Sequence, residues 1–262
     1  MRDVGRMGEN FFEAWCNSVG LTANKSQVDK MGWDYLVEFP TDHDNSLPVD
    51  LIPPAIECRI QVKSTDKYRG EIDISLKNIE RLVKTLMPTF ICIFEFGGKD
   101  NPQRAFLVHV GEKVIHRTLS RLRKQKPTSC KKTNKSSLSI KYGNDVKLIA
   151  TNGACLMQEI KKYVPDGIEK YHKWKEQLIN TLGYESGQGY INVSISGRDP
   201  ITDLIDLSLG LRKNLEVSNV SIYDSRFGVN CLTHHSSTVV SFASGNLLVK
   251  ASILVFYLLF SN

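Results

Sequence analysis

Glu9, Asp34, Gln61 and Lys63 are the residues of this chain whose types and order can do chemistry. One acid lies on a predicted helix and a second opens a predicted strand. An amide oxygen then stands two residues before an ammonium in Ile60-Gln61-Val62-Lys63-Ser64-Thr65. A hard divalent cation takes oxygen ligands, and a carboxylate-held Mg²⁺ can offset charge on the nonbridging oxygens of a phosphodiester and activate a water. An ammonium on the same strand face as the amide oxygen would stand within reach of the scissile phosphate. Each residue also has an ordinary explanation. Gln-x-Lys occurs on solvated strand faces, a glutamate in a first helical turn suits the helix dipole, and an aspartate before a strand suits a turn. The ordered set carries the reading, and Glu13 is the rival to Glu9 for the helix acid.

The elements that must position these residues follow from periodicity. Phe11, Phe12, Trp15 and Val19 keep helical spacing from Gly5 to Val19, with Gly20 as the stop. Glu9 and Glu13, four apart, share a face of that helix. Asp34 to Phe39 reads as a strand closed by Pro40, and Ile56 to Ser64 as a second. In the second, Cys58, Ile60 and Val62 alternate against Glu57, Arg59, Gln61 and Lys63. Glu71 to Leu76 is predicted as a third strand, Leu76 to Leu86 as a helix ending before Pro88, and Thr89 to Phe96 as a central strand buried on both faces. Ala105 to Val110 completes the expected sheet. Helix, three strands, helix and two strands give an α/β order with a mixed sheet.

Gly5-x-x-x-Glu9 on a first helix, Gly32-Trp33-Asp34, and Gln61-Val62-Lys63-Ser64 on a following strand together resemble the PD-(D/E)xK, or restriction-endonuclease-like, superfamily. The similarity is to the Mrr-like branch, in which Gln replaces the second acid, and covers about residues 5 to 110. The resemblance implies a restriction-endonuclease-like core and a Mg²⁺-dependent endonuclease, with Mn²⁺ able to substitute. Asp34 would be the central metal ligand, Gln61 would lend its side-chain oxygen and Val62 its carbonyl. Glu9 would hold a water of the ion or a second ion, and Lys63 would orient the attacking water. The amide at Gln61 removes one negative charge from the site, which weakens metal affinity. The resemblance further implies DNA as substrate and a bacterial restriction or antiphage role, with a homo-oligomer or a regulatory defence partner. Two other readings stay open: a nucleic-acid-binding or assembly module without catalysis, and an RNA-cleaving effector.

Composition sets the bounds. The chain has 262 residues, 41% hydrophobic, with a formal charge of +6, a modest basic excess that favours polyanions without requiring them. Arg121, Arg123, Lys124, Lys126, Lys131, Lys132 and Lys135 read as a mobile basic loop that contacts nucleic-acid phosphates or is simply solvated. Six scattered cysteines without metal spacing point to a reduced cytoplasm. The amphipathic N-terminus is no signal peptide, and Ala251 to Phe260 is too short to span a bilayer, so no membrane partner is expected. That last run reads as a buried strand, and its abrupt end in Ser261-Asn262 suggests a truncated frame or a hidden interface. Leu138 to Ala150 is expected as a strand, Gly153 to Leu182 as helical, and Pro200 to Asn214 as helical within a strand-rich region. The expected division is a nuclease core at 1–111, a basic loop and helical extension at 112–184, and a β-rich region at 185–262.

Overall fold

Asp3 starts the first helix: its side chain accepts the Arg6 amide at 3.1 Å, capping α1, Val4–Ser18. The buried residues Gly8, Phe12, Trp15 and Cys16 form one helical stripe and turn it toward the sheet. The computed structural model describes residues 2–27, 32–41, 48, 50, 52, 54–125, 136–195, 199–237 and 240–243. Its central sheet comprises β1 (Thr22–Lys25), β2 (Tyr35–Glu38), β3 (Glu57–Thr65), β5 (Thr89–Glu95) and β6 (Arg104–His109), in that spatial order. Only β3 and β5 run parallel, so the sheet is mixed and the unit is α/β.

Every residue of β5 is buried, which fits the apolar run Phe90 to Phe94 within it. Phe90, Cys92 and Phe94 join Phe12, Trp15, Leu156 and Ile160 in one core, so α1 and α4 (Gly153–Lys162) cover one face. Ile91 and Ile93 point the other way and are equally buried. Helices α2 (Leu76–Lys84) and α3 (Glu112–Arg123) pack together and bury Ile79, Leu82 and Ile115 as the second cover. Two glycines permit close approach. A Cβ on Gly8 would lie 1.7 Å from Ser64 Oγ, and one on Gly153 would lie 2.1 Å from the Trp15 carbonyl. The first brings α1 onto β3, the second brings α4 onto α1.

Several expectations change. Thr22–Lys25, passed over in sequence, forms edge strand β1; three polar residues and one alanine, mostly exposed, carry no alternation signal. Glu71–Ser75 is strand β4, but it leaves the central sheet and pairs with β7 (Ser137–Lys141) in a separate ribbon. The β7 strand ends at Lys141 rather than Ala150; Asn144–Val146 is a 3₁₀ turn. Arg121 and Arg123 lie on a helix rather than a loop, since Val114, Ile115, Thr118 and Leu119 bury a stripe that basic composition masked. Lys126, Lys131, Lys132 and Lys135 fall outside the described residues, as does Ala251 to Phe260.

The chain forms two compact units, Met1–Thr181 and Leu182–Asn262, and α3, β7, α4 and α5 (Ile168–Thr181) belong to the first. The second unit is an antiparallel sheet in which β9 (Asn214–Arg226) pairs with β8 (Gly189–Ile195), β10 (Val229–Ser236) and β11 (Val240–Ala243). Helix α6 (Pro200–Ser208) packs on β9 over a small core of Leu207, Leu215, Val217 and Val220. No helix among the described residues is long and apolar enough to cross a membrane.

Candidate functional site

Asp34 grips β3 on both sides of Gln61. Its amide donates to the Ile60 carbonyl at 2.9 Å, and its Oδ2 accepts the Val62 amide at 2.7 Å. The carboxylate thus takes the place of a main-chain acceptor just where β2 begins, and one residue fixes both peptide units flanking Gln61. Gly32 makes the approach possible: at φ +78° it sits where a Cβ would meet the Asn78 carbonyl of α2 at 2.7 Å. In a strand the N–H and C=O of one residue point to the same side, so the Val62 carbonyl opens toward Asp34.

Gln61 is 2% exposed, and its Oε1 is buried without a hydrogen-bond partner among the described residues. A buried acceptor left unpaired costs about 1–3 kcal/mol, so an electropositive partner at that oxygen would stabilise the site. Lys63, two residues on, is half-buried. The adjacent Ser64 faces α1, where its Oγ abuts Gly8, and strand alternation carries Gln61 and Lys63 to the opposite face.

Glu9 enters from the α1 side, beside Gly8. Its Oε2 is paired with Lys25 Nζ at 2.7 Å, while Glu13 Oε1 accepts the Tyr35 hydroxyl at 2.6 Å. Lys25 and Tyr35 are cross-strand partners on β1 and β2, so the two acids engage neighbouring groups, as their shared helix face predicts. The Tyr35 hydroxyl is pushed far above its ordinary range, first by burial, then by the Glu13 hydrogen bond and the charges of Glu13, Glu9 and Asp34. Glu9, Glu13 and Asp34 therefore act on one point. The bond to Glu9 likewise raises Lys25 above its ordinary value. Glu9 stands on one face of β3, Gln61 and Lys63 on the other, and Asp34 lies between them at the strand edge. Beyond Tyr35 no described strand covers that edge, so the two faces meet there.

Among the described residues no three or more His, Cys, Asp or Glu side chains are grouped to hold a metal. An ion here would rest on the mixed oxygen set of Asp34, the Gln61 amide, the Val62 carbonyl and Glu9. A buried Gln61 oxygen with no partner among the described residues fits such an ion; the Lys25 pairing of Glu9, and the place of Glu9 on the opposite face of β3, count against it. Lys25, Tyr35, Gly8 and Ser64 are the residues that sequence reasoning missed, and Gly8 next to Glu9 was the one signal available for them. The basic residues Arg121, Arg123 and Lys124 cluster at the C-terminal end of α3; Arg121 and Lys124 are exposed. His235 Nδ1 lies 2.9 Å from Ser221 Oγ in the second unit, a local strand contact. Comparison of the sequence with protein-family models gives no match, and comparison with curated proteins gives none either.

Proposed function

We propose that this chain is a Mg²⁺-dependent endonuclease with a restriction-endonuclease-like core, hydrolysing phosphodiester bonds in DNA, in a bacterial restriction or antiphage role. The observation that carries the reading is the Asp34 carboxylate bonded to the Val62 amide, next along β3 to Gln61, whose buried amide oxygen has no partner among the described residues. Asp34, Gln61 Oε1 and the Val62 carbonyl would hold the ion, with Glu9 at its periphery. When bound, the ion supplies charge neutralisation at the phosphate and a more acidic water.

The protein's own groups do the rest. Asp34 keeps the Gln61-Val62 segment rigid through its hold on the Val62 amide, so the oxygen donors are placed before substrate arrives. Lys63 brings a positive charge to the same strand face as Gln61, where it would orient the attacking water and offset charge developing on the phosphate. Lys25 holds Glu9 through a partly exposed pair, which is weak enough to exchange for another cation. The exposed Arg121 and Lys124 offer phosphate contacts independent of sequence. Incubation with plasmid and with RNA, with and without Mg²⁺, tests the reading beside Lys63→Ala. Metal-dependent cutting of plasmid that the substitution abolishes supports it. Binding without cutting by either protein supports a non-catalytic module instead, and cutting of RNA alone supports an RNA-cleaving effector.

A further inference from the structure

A cavity of about 460 Å³ opens at the start of α5, within the first unit and away from Asp34. Its walls are aromatic: His109, Tyr163, Tyr171 and Trp174. The His109 ring lies 4.3 Å from Tyr163 and 5.8 Å from Trp174, nearly parallel to the latter at 16°, and Tyr171 stands 5.2 Å from Trp174. The Tyr171 hydroxyl and His109 Nε2 are hydrogen-bonded at 2.6 Å, which locks two of the rings. Trp174 is 40% exposed, so part of its ring is open to solvent at the pocket. Rings fixed in advance lower the entropy lost when a flat ligand stacks on them.

Charge decides which flat ligand. Lys162 and Lys170 line the opening, each in a surface pair, with Glu159 and Asp166 respectively, and such pairs exchange readily for phosphate. Aromatic walls also attract an alkylated ammonium, but Lys162 and Lys170 at the opening repel a cation and favour an anionic group. The one acidic lining residue, Asp166, is largely exposed and already paired with Lys170. We propose that this pocket binds a nucleobase that carries a phosphate, stacking the base on Trp174 with Lys162 and Lys170 at the phosphate. The base would come from a free nucleotide or from an unstacked position of a strand. His109 lies on β6 and Asp34 at the start of β2, with β3 and β5 between them, about 14 Å across the sheet, so the pocket does not rest on the hydrolytic reading.

Titration calorimetry of the full chain in EDTA tests this with AMP, CMP, a short single-stranded oligonucleotide, ribose 5-phosphate and tetramethylammonium. AMP, CMP or the oligonucleotide should bind at least tenfold more tightly than ribose 5-phosphate. Trp174→Ala should weaken that binding tenfold or more, within the range for loss of one base-stacking contact, and Trp174→Phe should restore most of it. Asp34→Ala should leave it unchanged. Tighter binding of the oligonucleotide than of the mononucleotides assigns the base to a strand; equal affinity assigns a free nucleotide. The proposal is overturned if no base-bearing probe binds, if ribose 5-phosphate binds as well as AMP, if Trp174→Ala changes nothing, or if tetramethylammonium alone binds.

Discussion

Two buried polar residues show what single side chains contribute. Gln61 has a neutral amide where a carboxylate would bind metal more tightly, and its oxygen is buried without a partner among the described residues. Gln61→Glu should therefore destabilise the metal-free protein, because a buried charge without a counterion is costly, yet increase the stabilisation that Mg²⁺ brings. Thermal melts with and without Mg²⁺ check this: each tenfold gain in affinity adds about 1.4 kcal/mol, and an identical Mg²⁺ shift in both proteins would contradict it. Lys175 is fully buried and donates to the Leu82 and Met87 carbonyls and to Thr89 Oγ1, closing the end of α2. Burial, helped by the charge of Arg59, lowers it from 10.5 to about 7. Between those values the unfolded chain holds a proton that the folded protein has released, so stability rises with pH by up to about 1.4 kcal/mol per unit. Denaturant melts at pH 7, 8 and 9 should show wild type gaining on Lys175→Met as pH rises; a constant difference would remove the effect. His109, held neutral by burial and by Lys175 with its value lowered to about 3, acts in the same direction from pH 6.5 down to 3.

Elements place these residues through contacts only small side chains allow. The crossing of α1 on β3 depends on Gly8. Gly8→Ala forces its new methyl onto Ser64 Oγ and should cost about 1–3 kcal/mol, and Ser64→Ala added to it should recover part of that loss. Denaturant melts of the single and double variants check the pair, and additive losses would show that the crossing is not where the strain lies. Helix α1, strand β3 and buried strand β5 were legible in the sequence because their apolar periods are strong. The Gln61 and Lys63 alternation was legible for the same reason. Edge strand β1 was not, having three polar residues and one alanine, mostly exposed, and the departure of β4 to pair with β7 depends on a contact more than sixty residues away. The basic run hid α3 because it starts in the helix's last turn, after the Val114, Ile115 and Leu119 that mark the buried stripe. At the site, the types and order of Glu9, Asp34, Gln61 and Lys63 could be read directly. The Asp34 bond to the Val62 amide and the Lys25 hold on Glu9 could not, since both depend on tertiary register.

At the scale of the whole chain, a net charge of +6 favours nucleic acid through phosphate contacts that release counterions. Arg121 and Lys124 stand three apart and exposed near the end of α3. If they contact phosphates, Arg121→Ala with Lys124→Ala should weaken DNA binding equally across sequences and lower the slope of log affinity against log salt by about 2. An unchanged slope would move the contact surface elsewhere. The second unit has its own small core, which among the described residues is built on Leu207, Leu215, Val217 and Val220. The central claim concerns Asp34, which both clamps Gln61 and would hold the ion. The most direct test is the rate of plasmid cleavage as Mg²⁺ is raised from zero, for wild type and for Asp34→Ala. Cleavage that requires the ion and falls by at least about a thousandfold in the variant, some 4 kcal/mol of barrier, is the predicted result. Wild-type protein that leaves plasmid and RNA intact at every Mg²⁺ concentration, or Asp34→Ala that cuts at the wild-type rate, would contradict it.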